Sequence, residues 1–144
     1  MPMNVSHIVT RPLITVESNK TVLDAARLMV QNNIGLLVVC DTVDKGKIVG
    51  VVSERDIIRL VAEAKELNAP VSQVSTKRTV TVRGSADVAE AAKVMNKNRI
   101  RHVVVVDDEE RPVGVVSMRD LVGERATLTA ILRSDEKEIF HGAD

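Results

Sequence analysis

Short apolar runs alternate with amphipathic stretches along this chain. Two short β-rich runs, Leu13–Val16 and Thr79–Val82, are each followed by a polar turn. Apolar residues then recur at helical spacing, which predicts a helix after each turn: Val22, Ala25, Ala26 and Met29, and Val88, Ala91, Ala92 and Met95. Four longer apolar runs, separated by polar loops, predict buried strands: Leu36–Cys40, Ile48–Val52, His102–Val106 and Pro112–Val116.

The ends of the predicted helices carry their own signals. Ser85 and either Asn19 or Thr21 are the expected N-caps of the two amphipathic helices. A further helix is expected directly after Ser53 and after Ser117, because apolar residues follow each serine on one face of a helical pattern. Each half of the chain therefore reads β-α-β-β-α.

The two halves are copies of one unit. A shift of 66 residues aligns Val5 to Asp41 with the second half without a gap, and a shift of 64 aligns Gly50 to Asp56 with Gly114 to Asp120. We assign the units to residues 5–67 and 71–130, with a charged tail at 134–144 that we expect to be mobile. So small a unit cannot cover both faces of its own sheet, so the sequence predicts an α/β (α+β) fold with both units packed about a pseudo-twofold axis.

Composition narrows the function classes. The chain has 144 residues, 20 Lys+Arg against 20 Asp+Glu, one Phe and no Trp or Tyr. Zero net charge and missing aromatics argue against a nucleic acid partner. Apolar runs far below about 20 residues and no signal-peptide pattern argue against a membrane protein and favour a cytoplasmic one. We expect no enzyme and no metal site, because no nucleophile–base pair, metal-ligand cluster or P-loop is recognisable.

Cys40 is the only cysteine. At the end of an apolar run it is expected to be a small buried hydrophobic residue. The alternative is an intermolecular disulfide with the same residue of a second copy, since an odd cysteine can pair between chains.

A polar motif follows the last strand of each copy. Gly50-Val51-Val52-Ser53-Glu54-Arg55-Asp56 matches Gly114-Val115-Val116-Ser117-Met118-Arg119-Asp120. The serine can cap the helix that begins there, whose free N–H groups can face an anion, and the aspartate can accept two hydrogen bonds from a ribose diol. The alternative is that both residues only cap the helix; two intact copies favour nucleotide binding.

The repeat and its motif resemble the cystathionine-β-synthase (CBS) domain, and two in tandem resemble a Bateman module. The resemblance covers about Val5 to Ala130 and implies a stand-alone regulatory module that binds an adenine nucleotide between the copies. It implies a primary ligand site formed by Thr15, Ile34, Gly35, Arg101, His102, Val116, Ser117, Arg119 and Asp120. It implies a second site formed by Thr81, Ile100, Val52, Ser53, Arg55 and Asp56.

The two implied sites differ in charge. Arg101 and His102 stand where family members often bind phosphate, whereas the matching Gly35 and Leu36 are uncharged. We therefore expect the Asp120 site to bind more strongly. The expected ligand is AMP, ADP or ATP, and ligand binding would shift the conformation that an unknown regulated protein recognises. S-adenosylmethionine is the rival ligand, and a dimeric adaptor with vestigial pockets is the rival function.

The resemblance also implies a homodimer. Apolar helix residues would supply its interface: Ile57, Leu60, Val61, Leu121, Leu128, Ile131 and Leu132. The alternative is that they complete the core of the monomer.

Overall fold

The computed structural model describes residues 3–123, which form two similar units of strand, helix, two strands and helix. In the first unit the elements are β1 (Thr15–Glu17), α1 (Val22–Asn32), β2 (Leu36–Cys40), β3 (Ile48–Ser53) and α2 (Glu54–Ala62). In the second they are β4 (Thr81–Arg83), α4 (Val88–Asn98), β5 (His102–Val106), β6 (Pro112–Ser117) and a helix at 118–123. A 3₁₀ turn (Val5–Ile8) precedes the first unit, and the short helix α3 (Val71–Val74) precedes the second.

Each unit contains a three-stranded sheet with the same topology. The orders are β1-β2-β3 and β4-β5-β6, with the first pair of strands parallel and the second pair antiparallel. The predicted fold class is therefore confirmed. The first strand of each unit starts two residues later than predicted. In the first unit, Leu13 lies before the strand and is apolar because it packs into the layer between the two sheets.

The helix caps agree with the sequence at one helix and differ at the other. Thr21 caps α1, accepting a hydrogen bond from the Asp24 N–H at 3.0 Å, as one of the two alternatives predicted. The prediction of Ser85 for α4 is wrong, since Asp87 caps that helix through the Ala89 N–H at 2.8 Å.

Both faces of each sheet are buried. On β2, Leu37 and Val39 point into the core of their own unit, whereas Val38 and Cys40 pack against Val104 and Val106 of β5. The same alternation on β5 makes a shared apolar layer between the sheets. The two copies thus complete each other's core, as the small size of each unit requires.

The segments that lead into the units are exchanged between them. Val5 is fully buried in the core of the second unit, and its N–H donates to Ala86 O at 2.8 Å. Val71 is equally buried in the first unit, and its N–H donates to Lys20 O at 2.7 Å. The two repeats of the sequence therefore do not coincide with the two hydrophobic cores, because the first residues of each repeat pack into the core of the other.

Cys40 is 2% exposed within the layer between the sheets, and burial raises the pKa of its thiol. A disulfide to a second copy would require the sheets to separate, so the structure favours the small buried hydrophobic residue.

Part of the expected dimer surface belongs to the monomer. Leu60 is 5% exposed, and Ile57 and Leu121 pack against the two unit cores. Among the predicted residues that the structure describes, Val61 is exposed. Two further apolar residues are exposed as well: Ile58, which follows Ile57, and Val122, which follows Leu121. Leu128, Ile131, Leu132 and the tail at 134–144 lie outside the described residues. Within 3–123, no helix is both long and apolar enough to span a membrane.

Candidate functional site

A cavity of about 900 Å³ lies between the two units. The first unit contributes the segment 8–14, the end of α1 with the turn after it, and the start of α2. The second unit contributes Arg101, His102, Val115 and residues 117–120. The volume lies within the range of about 300–1,000 Å³ that is usual for small-molecule sites. We call this cavity the Asp120 cleft.

Ser117 and Asp120 form a reciprocal pair at the N-terminus of the helix that borders the cleft. Ser117 Oγ accepts a hydrogen bond from the Asp120 N–H at 3.0 Å, and Asp120 Oδ2 accepts one from the Ser117 N–H at 2.8 Å. Asp120 Oδ1 makes no hydrogen bond or ion pair with any other residue in 3–123. The motif therefore caps the helix and still leaves one carboxylate oxygen available to a ligand.

Charged groups of both signs line the Asp120 cleft. Three arginines line it, Arg11, Arg101 and Arg119, together with two acidic residues, Glu54 and Asp120. Arg11 Nη1 lies 3.5 Å from Asn33 O, a contact that links the segment before β1 to the end of α1. Such a cluster can hold a phosphate through charge-assisted hydrogen bonds.

His102 lies half-buried among these groups. Burial lowers the pKa of its imidazole below the usual value, while the nearby carboxylates of Glu54 and Asp120 oppose that shift. Arg101 acts in the same direction as burial. The imidazole is thus poised to respond to an anion placed in the cleft.

The apolar part of the cleft comes mostly from residues that the sequence did not point to. Ile34 lines it as expected, together with Ile8, Leu13, Ile14, Met29 and Leu36. The segment 8–14, including Arg11, escapes a prediction from local pattern because it forms no regular strand or helix over most of its length. A usable signal existed, since the 66-residue shift places Arg11 on Lys77, a basic residue at the same point of both copies.

Seven of the nine residues expected in the primary site line the cleft: Ile34, Gly35, Arg101, His102, Ser117, Arg119 and Asp120. The other two do not. Val116 is fully buried in the core of the second unit, because its position on β6 points away from the cleft. Thr15 pairs with Val38 on β1 and lines a separate, smaller cavity of about 460 Å³.

The pseudo-symmetric site around Asp56, which we call the Asp56 cleft, has the same helix cap but different surroundings. Asp56 Oδ2 accepts from the Ser53 N–H at 2.8 Å, and Ser53 Oγ accepts from the Asp56 N–H at 3.2 Å. Asp56 Oδ1 lies 3.9 Å from Arg59 Nη1, whereas Gly123 stands at the matching position near Asp120. The second carboxylate oxygen therefore has a cationic neighbour here, although the pair is long.

A backbone bridge also joins the segment around Thr76 to β3 beside the Asp56 motif. The N–H of Val51 donates to Thr76 O at 3.0 Å, and the N–H of Thr76 donates to Val51 O at 2.8 Å. The matching residues of the other cleft, Val115 and Thr10, form no such bridge within the described part of the chain, and both line the Asp120 cavity.

The residues expected in the second site are only partly brought together. Ser53, Arg55 and Asp56 are contiguous at the start of α2, with Arg55 exposed. Val52 is fully buried in the first unit's core, and Ile100 packs against the second unit's core. Thr81 pairs with Val104 on β4.

The fold and its repeated motif are those of a tandem pair of CBS domains. The family model of the CBS domain matches residues 5–63 and 71–126, so the chain belongs to the CBS domain family. A 17.7 kDa protein of Acidianus ambivalens is 34% identical over 121 residues, which are 84% of this chain and 72% of that protein.

Two solved structures are similar over most of the chain. A CBS domain protein from Pyrobaculum aerophilum, complexed with AMP, is 35% identical with a TM-score of 0.83, covering 92% of this chain and 100% of its own. The CBS domain pair of protein MJ0100, in complex with 5′-methylthioadenosine and S-adenosyl-L-methionine, is 30% identical with a TM-score of 0.79, covering 90% and 98%. Both neighbours are CBS pairs with adenosine-containing ligands.

Proposed function

We propose that this chain is a regulatory module that binds an adenine nucleotide, AMP in the first place, in the Asp120 cleft. The observation that carries the proposal is the cavity itself. It joins three arginines, an apolar wall and Asp120, one of whose carboxylate oxygens has no partner in the described part of the chain. Each feature matches one part of a nucleotide: the ribose diol, the phosphate and the base.

The assignment of each part follows from its chemistry. Asp120 Oδ1 accepts the hydrogen bonds of the ribose hydroxyls, since Oδ2 already holds the Ser117 N–H. Arg101, His102 and Arg119 hold the phosphate. The base lies against the aliphatic wall, where Ile34 and Leu13 replace the aromatic stacking that this chain cannot supply. Of the primary-site residues expected from the sequence, Ser117 positions Asp120 and Gly35 lines the cleft, while Thr15 and Val116 have no role in the proposal.

S-adenosylmethionine is the second candidate ligand, and the carboxylates of Glu54 and Asp120 are what favours it. A sulfonium or ammonium group would pair with them. Three arginines in the same cleft fit a phosphate better, because like charges repel a cationic ligand. AMP is therefore the primary proposal.

Regulation follows from where the ligand would lie. The cleft is lined by both units, so a bound nucleotide contacts both and favours the arrangement of the units that fits it. A partner protein that recognises this arrangement would sense the nucleotide. We include in the proposal a cytoplasmic homodimer whose interface uses the exposed side chains of Ile58, Val61 and Val122; light scattering would check the mass.

A titration with two matched variants tests the proposed ligand site. AMP is added to the wild-type chain, to Asp120→Ala and to Asp56→Ala, and heat of binding and melting temperature are recorded. Both substitutions remove the same half of the reciprocal helix cap, the carboxylate that accepts from the serine N–H, and should therefore cost similar stability, about 1 kcal/mol. The wild-type and Asp56→Ala proteins should bind AMP, and Asp120→Ala should lose at least about tenfold in affinity.

The pair of variants separates a ligand contact from a general loss of stability. Equal losses of AMP affinity in both variants would mean that the cap, not the ribose contact, matters. A wild-type protein whose melting temperature responds to none of AMP, ADP, ATP and S-adenosylmethionine would instead support an adaptor with vestigial pockets.

A further inference from the structure

Glu54 belongs to the motif of one copy but lines the cleft of the other. It is the first residue of α2, directly after Ser53, and it borders the Asp120 cavity instead of the Asp56 motif beside it in sequence. Its N–H donates to Gly35 O at 3.0 Å, which holds the start of α2 against the entrance to β2. The matching residue of the second copy, Met118, is held in the same way by Arg101 O at 2.8 Å.

The side chain of Glu54 reaches the charged end of the cavity. A Cβ built on Gly35 would lie 3.3 Å from Glu54 Oε1 and 3.5 Å from His102 Cε1, so both groups approach the same point. The missing side chain at Gly35 provides the room for them. The Glu54 carboxylate makes no hydrogen bond or ion pair through its side chain with any residue in 3–123, and it acts on His102 through its charge.

We propose that Glu54 is a specificity residue that restricts the Asp120 cleft to ligands with a single phosphate group. This inference rests on the proposed function. With the ribose on Asp120, the first phosphate lies near Arg101, His102 and Arg119. A second and third phosphate must then extend past His102, where the carboxylate of Glu54 lies.

Charge explains why this position discriminates. A phosphate monoester carries about −1.5 to −2 at neutral pH, and each further phosphate adds more. Three arginines and two carboxylates leave the cleft only mildly positive, which suits a monophosphate. A like charge facing the extra phosphates lowers their affinity without weakening contacts to the base, the ribose or the first phosphate.

Glu54→Gln tests the inference, with Glu90→Gln as its matched control. Both glutamates are exposed acids in the first turn of a helix, but only Glu54 lines the cleft. AMP, ADP and ATP are titrated in buffer without divalent cations. The wild type should bind AMP more tightly than ATP by about tenfold or more. Glu54→Gln should reduce this ratio of affinities by about tenfold, because it binds ATP more tightly. Glu90→Gln should leave the ratio unchanged.

Adding Mg²⁺ gives a second readout. The cation neutralises part of the ATP charge, so it should narrow the AMP preference of the wild type and have little effect on Glu54→Gln. A loss of Mg²⁺-dependent ATP binding in Glu54→Gln would identify Glu54 as a metal ligand and overturn the inference.

The remaining outcomes are distinct. Three results would overturn the role of Glu54 while AMP binding by the wild type stands. The wild type could bind AMP and ATP equally, or Glu54→Gln could bind AMP more weakly than the wild type does. Glu90→Gln could also narrow the AMP preference as much as Glu54→Gln. If the wild type binds none of the three nucleotides, the proposed function fails and the inference falls with it.

Discussion

The Asp120 and Asp56 clefts carry the same motif, the same reciprocal helix cap and almost the same hydrogen-bond lengths, but they differ in everything around it. Thr10 and Val115 do not pair within the described residues and both line the Asp120 cavity, whereas their counterparts Thr76 and Val51 are joined by a backbone bridge. Within residues 3–123, the second oxygen of Asp120 has no partner, whereas Asp56 has Arg59 beside it. The comparison teaches that the motif secures the helix cap in both units, while the contact between the leading segment and the last strand differs between them.

The charges that reach the two clefts differ as well. Arg101 and His102 enter the Asp120 cleft from the start of β5, whereas Gly35 and Leu36 stand at the same points of the first unit. Duplication thus produced two caps of equal quality, and a few substitutions concentrated the phosphate-binding groups at one of them. Matched substitutions in the two clefts test that division.

The largest effect is expected from the arginine of each motif. Arg119→Ala should weaken AMP binding by about 10–100-fold, because a hydrogen bond to a charged group contributes about 1.5–3 kcal/mol. Arg55→Ala removes the equivalent exposed arginine from α2 and should leave AMP affinity unchanged. Calorimetric titration measures both; a matching loss in Arg55→Ala would place a ligand in the Asp56 cleft.

A smaller difference is expected from the glycine of each motif. At Gly50 an added Cβ would lie 2.7 Å from the backbone oxygen of Thr76, so Gly50→Ala should destabilise the fold by about 1–3 kcal/mol. At Gly114 the added Cβ would meet Cγ1 of Val9, which lies outside any regular strand or helix and can give way more readily than a hydrogen-bonded backbone, so that substitution should cost less than Gly50→Ala. Urea unfolding measures the loss of stability in each variant. A greater loss for Gly114→Ala than for Gly50→Ala would contradict the close approach of Thr76 to β3.

Most strands and the main residues of the Asp120 cleft could be predicted from the sequence, because aligning the chain with itself at a fixed shift shows the repeat. Strands β2 and β5 were predicted to the residue, since unbroken apolar runs predict strands buried on both faces. Ser117, Asp120, Arg101 and His102 were predicted to share one site, and the structure brings them to one cavity. That they bind a ligand stays a prediction.

What could not be predicted depends on contacts between distant segments. Val116 and Val52 were expected in the ligand sites on the resemblance to the family, but strand alternation turns both into a core. The bridge between Val51 and Thr76 joins residues of different copies, and nothing in either local pattern distinguishes it from the open pair Val115 and Thr10. The exchange of the leading segments was hidden for the same reason.

His102 should make the stability of the fold depend on pH, whereas Leu36, at the matching position of the first unit, cannot titrate. Its pKa is lowered by burial in the folded chain, so between that value and about 6.5 the unfolded chain binds more protons. Stability should therefore fall as pH drops from about 7 towards 5. His102→Leu, which copies Leu36 of the first unit, should reduce this dependence in urea unfolding at several pH values. An unchanged slope would mean that His102 does not charge on unfolding in this range.

The smallest change in stability is expected from substitution of Arg59. The same substitution tests whether the ion pair or the backbone bridge keeps AMP from the Asp56 cleft. The Arg59–Asp56 pair is long at 3.9 Å and the arginine side chain is 62% exposed, so Arg59→Ala should change stability by no more than about 0.5 kcal/mol. If the backbone bridge at Val51 closes the cleft, freeing Asp56 creates no AMP site, and Arg59→Ala should not restore binding to Asp120→Ala. Restored binding in that double variant would show that the ion pair, and not the bridge, keeps the Asp56 cleft from its ligand.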